Sequence, residues 1–161
     1  MADRRLRPVA ATAVLALLSS LAGCSSAATA VEACMAKQAV SGTPGELAGT
    51  YVGQAHAKGA TITLKASDSK PGGTVTVHDW PAGDWHEDTL GKTFDGSGTW
   101  TVAGGDRAGD YAQVRLSLTE PELFLRGDTL DSLSIATGSG RTFLYEDDDP
   151  DVCPAFRLRR T

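Results

Sequence analysis

The sequence predicts an all-β fold: an antiparallel meander of about eight or nine strands that closes into a barrel, with a β-sandwich as the alternative. Two observations support this fold class. Apolar and polar residues alternate in short segments, which is typical of strands buried on one face. Turns rich in glycine and aspartate separate these segments, and several gaps are too short for a crossover helix, so neighbouring strands should be antiparallel. Closure would remove the exposed strand edges that invite aggregation.

The predicted strands share this alternation, or an apolar stretch between two turns. They are Gly49–Gly53, Thr61–Leu64, Thr74–Val77, Gly98–Val102, Val114–Leu118, Glu122–Arg126, Leu133–Ile135, Arg141–Glu146 and Phe156–Arg159. A short helix is predicted around Val31–Val40, ahead of a Gly/Pro spacer at residues 41–45. No helical stripe of apolar residues follows it.

Residues 1–24 have the three parts of an export signal. A basic start is followed by the apolar run Val9–Leu21 and then by Leu21-Ala22-Gly23-Cys24. The run is about 13 residues, shorter than the roughly 20 that a transmembrane helix needs. The last four residues resemble the lipobox of bacterial lipoproteins, which are cleaved directly before a cysteine that carries diacylglycerol. The alternative is an ordinary secretory signal with a chance cysteine.

The lipobox resemblance implies a protein anchored by lipid on the extracytoplasmic face of the cell membrane. Residues 1–23 would be the signal peptide, and residues 24–47 would hold the lipidated Cys24, a flexible tether and the short helix. Residues 48–161 would form one β-barrel domain. Two acyl chains give stable anchoring, whereas a single chain binds only marginally. The export route, general secretory or twin-arginine, stays open.

Two cysteines, Cys34 and Cys153, remain once Cys24 is assigned to the lipid. Outside the cytoplasm, such a pair more often forms a disulfide than two free thiols. We therefore predict a Cys34–Cys153 bond that ties the start of the domain to its last strand.

The charge balance argues against a nucleic-acid partner. Removal of residues 1–23 takes away three arginines and one aspartate, which changes the formal charge from −5 to −7. Binding to phosphates depends on clustered basic residues, and the one cluster left is Arg157, Arg159 and Arg160, expected to form a solvated face.

Two sets of residues resemble known proteins. The first barrel strand opens with Gly49-Thr50-Tyr51, and the last strand carries arginines. This pattern is similar to the lipocalin-like (calycin) arrangement, in which a basic side chain of the closing strand covers a Gly-x-Trp of the first strand. In this sequence, Tyr51 replaces the Trp. The mature chain also resembles small actinobacterial lipoproteins of unknown function. That resemblance rests on Gly49-Thr50-Tyr51, Gly96-Ser97-Gly98-Thr99-Trp100, Asp149-Pro150-Asp151 before Cys153 and the arginine-rich end. It implies a fold and no catalytic residues.

Residues 78–88 contain two histidines and four carboxylates, a composition that could bind zinc or copper. The spacing of His78 and His86 matches no compact ligand pair, so no metal is predicted there. We expect a polar loop in which Trp80 or Trp85 folds back onto the core.

Other polar residues give no catalytic or cofactor site. The acidic run 146–151 lacks the glycine and closing glutamate of an EF-hand, and is expected to be a solvated turn. Ser97 and Ser139 lack the Gly-x-Ser-x-Gly elbow, and His56 stands alone. We therefore favour a protein that is not an enzyme and needs no cofactor.

Two hypotheses for function remain. In the first, the barrel is a binding module for a small apolar ligand, in a cavity lined by Tyr51, Trp100, Phe124, Phe143 and Tyr145. In the second, the interior is packed and the outer face meets another envelope protein, since interior side chains decide whether a small barrel keeps a cavity. A monomer is expected in either case.

Overall fold

Eight of the nine predicted strands are present in the structure, a computed structural model that describes residues 29–84, 86–104, 110–122, 130–149 and 151–161. Nine strands and three short helices lie in these residues. In chain order they are α1 (Ala30–Cys34), β1 (Lys37–Gln38), α2 (Pro44–Leu47), β2 (Gly49–Ala55), β3 (Thr61–Ala66), β4 (Gly72–Pro81), α3 (Glu87–Leu90), β5 (Thr93–Ala103), β6 (Gln113–Glu120), β7 (Ser132–Gly138), β8 (Arg141–Tyr145) and β9 (Phe156–Arg160). No helix in this part of the chain is long and apolar enough to cross a membrane.

Eight strands form a closed antiparallel barrel. Strands β2 to β9 pair in chain order, and β9 closes the ring on β2, where Arg160 lies opposite Tyr51 and Phe156 opposite Ala55. The extra strand, β1, pairs with the second half of β7, beyond the part that pairs with β6. The predicted meander is therefore confirmed, and the architecture is consistent with a lipocalin-like fold.

The protein's own side chains fill the inside of the barrel. Alternate strand residues form one apolar cluster, whose largest members are fully buried: Tyr51, Ile62, Leu64, Val75, Trp80, Trp100, Leu133, Ile135, Leu144 and Leu158. The indole N–H groups are also satisfied, because Trp80 donates to the carbonyl of Leu130 at 3.1 Å and Trp100 to that of Lys65 at 3.2 Å. Burial of this apolar surface, at roughly 25 cal/mol per Å², is the main force that holds the barrel together.

A second apolar cluster lies on the outside of β7 and β8. Its members are Val31, Met35, Ala36, Ala136, Phe143 and Tyr145. α1 and the residues after it thus cover an outer face of the barrel, and the Thr29 hydroxyl caps this helix by accepting from the N–H of Glu32 at 3.2 Å. The predicted Cys34–Cys153 disulfide is confirmed: its Cα atoms are 6.1 Å apart, and it ties the end of α1 to the loop between β8 and β9.

Arg160 lies at the end of the barrel where β9 finishes and β2 begins. Its guanidinium donates to the carbonyls of Glu46 at 2.7 Å and Ala48 at 2.5 Å. A Cβ on Gly49 would lie 2.7 Å from the Arg160 Nε, and the φ of Gly49 is +148°, so glycine is required on both counts. The last strand therefore covers Gly49 with a basic side chain, as the calycin resemblance implies, and Arg160 does more than line a solvated face.

Two local predictions differ from the structure, and a third cannot be compared with it. α1 ends at Cys34 instead of continuing to Val40, because residues 37–39 form sheet hydrogen bonds, including one from Ala39 N to the Ile135 carbonyl at 2.8 Å. Residues 78–81, expected in a loop, continue β4. The predicted strand Glu122–Arg126 lies outside the described residues, except for Glu122 in a turn.

Candidate functional site

A cleft of about 740 Å³ lies at the end of the barrel opposite Arg160, where β7 and β9 begin and β4 and β8 end; we call it the rim cleft. Loops and strand ends supply its walls. The lining residues are His56, Pro81, Gly83, Gln113, Leu130, Asp131, Ser132, Ser134, Glu146, Asp147, Asp148, Ala155 and Phe156. Polar and acidic groups thus share the rim cleft with an apolar wall.

The acidic side of the rim cleft comes from Glu146, Asp147 and Asp148, directly after β8. Burial raises the pKa of the Glu146 carboxyl, and the charge on Asp148 raises it further. The same two causes, burial first, raise the pKa of Asp147. Glu146 is half-buried, whereas Asp147 and Asp148 are exposed, and a positively charged ligand would favour the ionised form of these carboxylates.

A buried hydrogen-bond network holds this side in place. Ser134 on β7 is only 3% exposed, and it hydrogen-bonds both Asp147 and the Tyr145 hydroxyl. Gln38 on β1 donates to the same Tyr145 oxygen at 2.6 Å. Ser134 therefore links Asp147, which is itself exposed, to the buried part of this network.

Sequence reasoning missed Gln38 and Ser134. In Leu133-Ser134-Ile135, the alternation assigns Ser134 to the solvent side of the strand. The structure covers that side, because α1 packs on the outside of β7 and β8. No signal in the sequence marks this cover, which depends on contacts between distant parts of the chain.

The apolar side of the rim cleft includes Pro81 and Phe156. The Phe156 ring stacks edge-on against Trp80, with centroids 5.4 Å apart and planes at 81°. Trp80 is fully buried, but it reaches the core from strand β4 and not from the predicted loop, whereas Trp85 lies outside the described residues. The aromatic pair gives this wall a rigid support.

The residues predicted to line an apolar cavity do not meet at one place. Tyr51 and Trp100 belong to the interior cluster, whereas Phe143 and Tyr145 belong to the cluster outside the barrel under α1. Phe124 lies outside the described residues. None of the four that are described lines the rim cleft, and a role for them in binding stays a prediction.

Tyr51 is instead tied into the end of the barrel beside Arg160. Its hydroxyl donates to the Leu47 carbonyl at 2.7 Å. Burial raises the pKa of Tyr51 to about 12, although the nearby Arg160 charge lowers it. The hydroxyl is therefore a structural donor.

The other polar candidates are scattered. His56 is exposed and lines the rim cleft, whereas the Ser97 hydroxyl donates to the Glu120 carboxylate at 3.1 Å on the barrel wall. In the acidic run, the Asp149 side chain accepts from the backbone N–H of Asp151 at 2.9 Å, as expected of a polar turn. In the rim cleft, by contrast, a cavity, acidic side chains and an apolar wall occur together, and this combination could hold a ligand.

No family model, curated protein or solved structure matches this chain. Function is therefore inferred from the shape, charge and burial of the rim cleft, and from the filled barrel behind it.

Proposed function

We propose that the chain is a lipid-anchored extracytoplasmic binding protein that holds a small amphipathic cation in the rim cleft. The observation that carries the proposal is the row of acidic side chains in the rim cleft, Glu146, Asp147 and Asp148, beside an apolar wall that includes Phe156. A cleft of about 740 Å³ lies within the usual range for small-molecule sites. A cationic group would neutralise the acids while an apolar body contacts Phe156.

The rim cleft is a better binding place than the barrel interior. Interior residues such as Trp100, Ile62 and Leu158 are at most 1% exposed, so a ligand would have to displace packed side chains. Loss of such packing destabilises a protein by several kcal/mol in mutational series, a cost that a ligand in the rim cleft does not have to offset. The sequence led us to expect an apolar ligand inside the barrel. The present proposal replaces it with an amphipathic ligand in the rim cleft, whose apolar part contacts the apolar wall.

The proposed anchor is the lipid on Cys24, supported by the lipobox resemblance and by the chain's likeness to small actinobacterial lipoproteins. Described structure begins at Thr29, the cap of α1. Five residues of extended chain span at most about 18 Å. The barrel would therefore stay close to the outer surface of the membrane, where amphipathic solutes concentrate.

The proposal is tested with three ligands that share a chain length and differ in charge: octylammonium, octanol and octanoate. Each is titrated into the protein by calorimetry, and the affected residues are mapped by amide NMR. We expect octylammonium to bind most tightly, with shifts at Ser132 and Ser134. Glu146→Gln should weaken it severalfold, while Asp68→Asn, an exposed acid near the opposite end of the barrel, should not.

A second candidate function is a packed interaction module that meets another envelope protein, and the filled interior favours it. If octanol and octanoate bind as well as octylammonium, the carboxylates do not select the ligand and the cation proposal is wrong. If none of the three binds, chemical cross-linking in intact membranes should recover a protein partner.

A further inference from the structure

Two consecutive residues of β4 lie opposite a single residue of β5. Val77 pairs with Gly96 and Trp80 with Phe94, so His78 and Asp79 both face Asp95. This is a β-bulge, which turns side chains away from the regular alternation. Asp79 has a φ of +48°, and its N–H donates to the Asp95 carboxylate at 3.0 Å. The bulge thus gathers three side chains that regular strands would separate.

These three side chains carry metal-ligand atoms that lie within 4.8 Å of one another. The His78 Nδ1 is 2.5 Å from an oxygen of Asp95, and its Nε2 is 3.6 Å from an oxygen of Asp79. Each side chain is more than half exposed, so an ion can reach them without any opening of the fold. The turn between β2 and β3 lies beside the Asp79 carboxylate, since a Cβ on Gly59 would be 3.9 Å from it.

The two distances assign different roles to the two carboxylates. Two ligands about 2.0 Å from a tetrahedral zinc ion are about 3.3 Å apart, close to the separation of the His78 Nε2 and the Asp79 oxygen. A metal-binding histidine usually donates its other ring N–H to a carboxylate, which fixes the ring. Asp95 stands in that position beside Nδ1.

We infer that His78 and Asp79 bind a divalent transition-metal ion of the zinc and copper class, with Asp95 orienting the imidazole and water completing the coordination. An imidazole with carboxylates suits zinc and copper, whereas calcium and magnesium prefer oxygen ligands alone. The inference goes beyond the rim cleft and does not depend on it. The partner that orients His78 is therefore Asp95 on the neighbouring strand β5, and not His86 of the same chain segment.

The test is calorimetric titration of the purified full chain with Zn²⁺ in a buffer that does not chelate metal. We expect one saturable site in the micromolar range, tighter binding of Cu²⁺, and no binding of Ca²⁺ or Mg²⁺ at the same concentrations. Because metal displaces protons from the ligands, the affinity should fall as the solution becomes more acidic.

Variants locate the site. His78→Ala should abolish binding, and Asp95→Asn should weaken it about tenfold or more, since it removes the partner that orients the ring. His56→Ala and Asp148→Asn are matched controls that should bind as the wild type does. Unfolding temperatures without metal should agree among all four, which would show that the variants fold.

The NMR signals of the His78 ring should shift with the same midpoint as the heat of binding. Absence of saturable binding below millimolar Zn²⁺, or binding that His78→Ala leaves unchanged, would overturn the inference. Loss of binding in His56→Ala or Asp148→Asn would place the metal at the rim cleft instead, and would equally overturn it.

Discussion

At the scale of single residues, Tyr51 shows how a polar atom is kept inside an apolar barrel. The ring is fully buried, and the hydroxyl finds an acceptor in the Leu47 carbonyl. A buried carbonyl that loses its donor costs about 1–3 kcal/mol, so the hydroxyl contributes to stability beyond the burial of the ring.

Tyr51→Phe should lower the free energy of unfolding by about 1–2 kcal/mol at pH 8, because the Leu47 carbonyl loses its partner. Burial raises the pKa of folded Tyr51 from 10.0 to about 12. The wild type should therefore lose stability as the pH rises from 10 towards 12, because the unfolded chain ionises first. In urea unfolding, the difference in the free energy of unfolding between the wild type and Tyr51→Phe should be smaller at pH 11 than at pH 8. The exposed Tyr111, changed to Phe, serves as the control, and a gap of constant size would contradict the role of burial.

Glu146→Gln should stabilise the ligand-free protein at pH 7, by less than about 1 kcal/mol because the group is partly exposed and screened by water. Burial and the Asp148 charge raise the pKa of folded Glu146 above its ordinary 4.5. The stability that Glu146 contributes is therefore fully present at low pH, and it is lost as the pH rises through the folded pKa of this group. Chemical unfolding at pH 4 and pH 7 measures this. A variant less stable than the wild type at pH 7 would show that Glu146 has a stabilising partner.

At the scale of elements, the junction of β9 with β2 decides whether the meander becomes a barrel. Five residues of β9 pair with β2. The Arg160 side chain also donates hydrogen bonds to the carbonyls of Glu46 and Ala48, at the end of α2. Charged donors to the carbonyls at a helix end stabilise it. The last strand therefore binds the start of the barrel through its backbone and through one arginine.

Arg160→Ala should lower the free energy of unfolding by about 1–2 kcal/mol, because two carbonyls lose a charged donor. Arg159→Ala, the exposed neighbour on the same strand, should cost much less. Thermal unfolding of the two variants under the same conditions measures the difference. Equal losses would mean that the hydrogen bonds of Arg160 contribute little in water.

At the scale of the whole molecule, the disulfide joins residues 119 positions apart and holds α1 against the loop that carries the acidic wall. The chain-entropy model gives about 5 kcal/mol for a loop of this length, although measured values are often smaller. The bond therefore supports both the fold and the rim cleft.

The double variant Cys34→Ser and Cys153→Ser should unfold several kcal/mol more easily than the wild type. The variant should lose a larger fraction of its octylammonium affinity than of its barrel structure. The reason is that the loop between β8 and β9, which carries Glu146 and Asp147, is no longer tied to α1. Circular dichroism and calorimetry on the same samples compare the two effects. Unchanged binding by the variant would show that the loop keeps its position without the bond.

Cys24→Ser should abolish both the lipid and normal processing, as expected from the lipobox resemblance. Mass spectrometry of the wild type from membranes should find an N-terminus at Cys24 that carries diacylglycerol. Recovery of an unmodified wild type from the medium, cut at another position, would contradict the lipoprotein proposal.

The sequence by itself determined the all-β class, the antiparallel meander and the disulfide pair. Alternation with a period of two reports directly which strand face is buried, and Cys34 and Cys153 are the two cysteines that remain if Cys24 is assigned to a lipid. The calycin resemblance implied a basic side chain over the Gly49-Thr50-Tyr51 segment, and Arg160 lies against Gly49, although the arginines were expected to form a solvated face.

Only the tertiary structure decided whether the interior was open, where Phe143 and Tyr145 lay, and which residues met at the two candidate sites. Alternation cannot show that α1 covers an outer strand face, so Ser134 was taken for a solvent-facing residue. Spacing cannot show that a bulge brings His78 and Asp79 opposite Asp95. These contacts join residues far apart in the chain, and their geometry depends on strand register and packing, which no local pattern encodes.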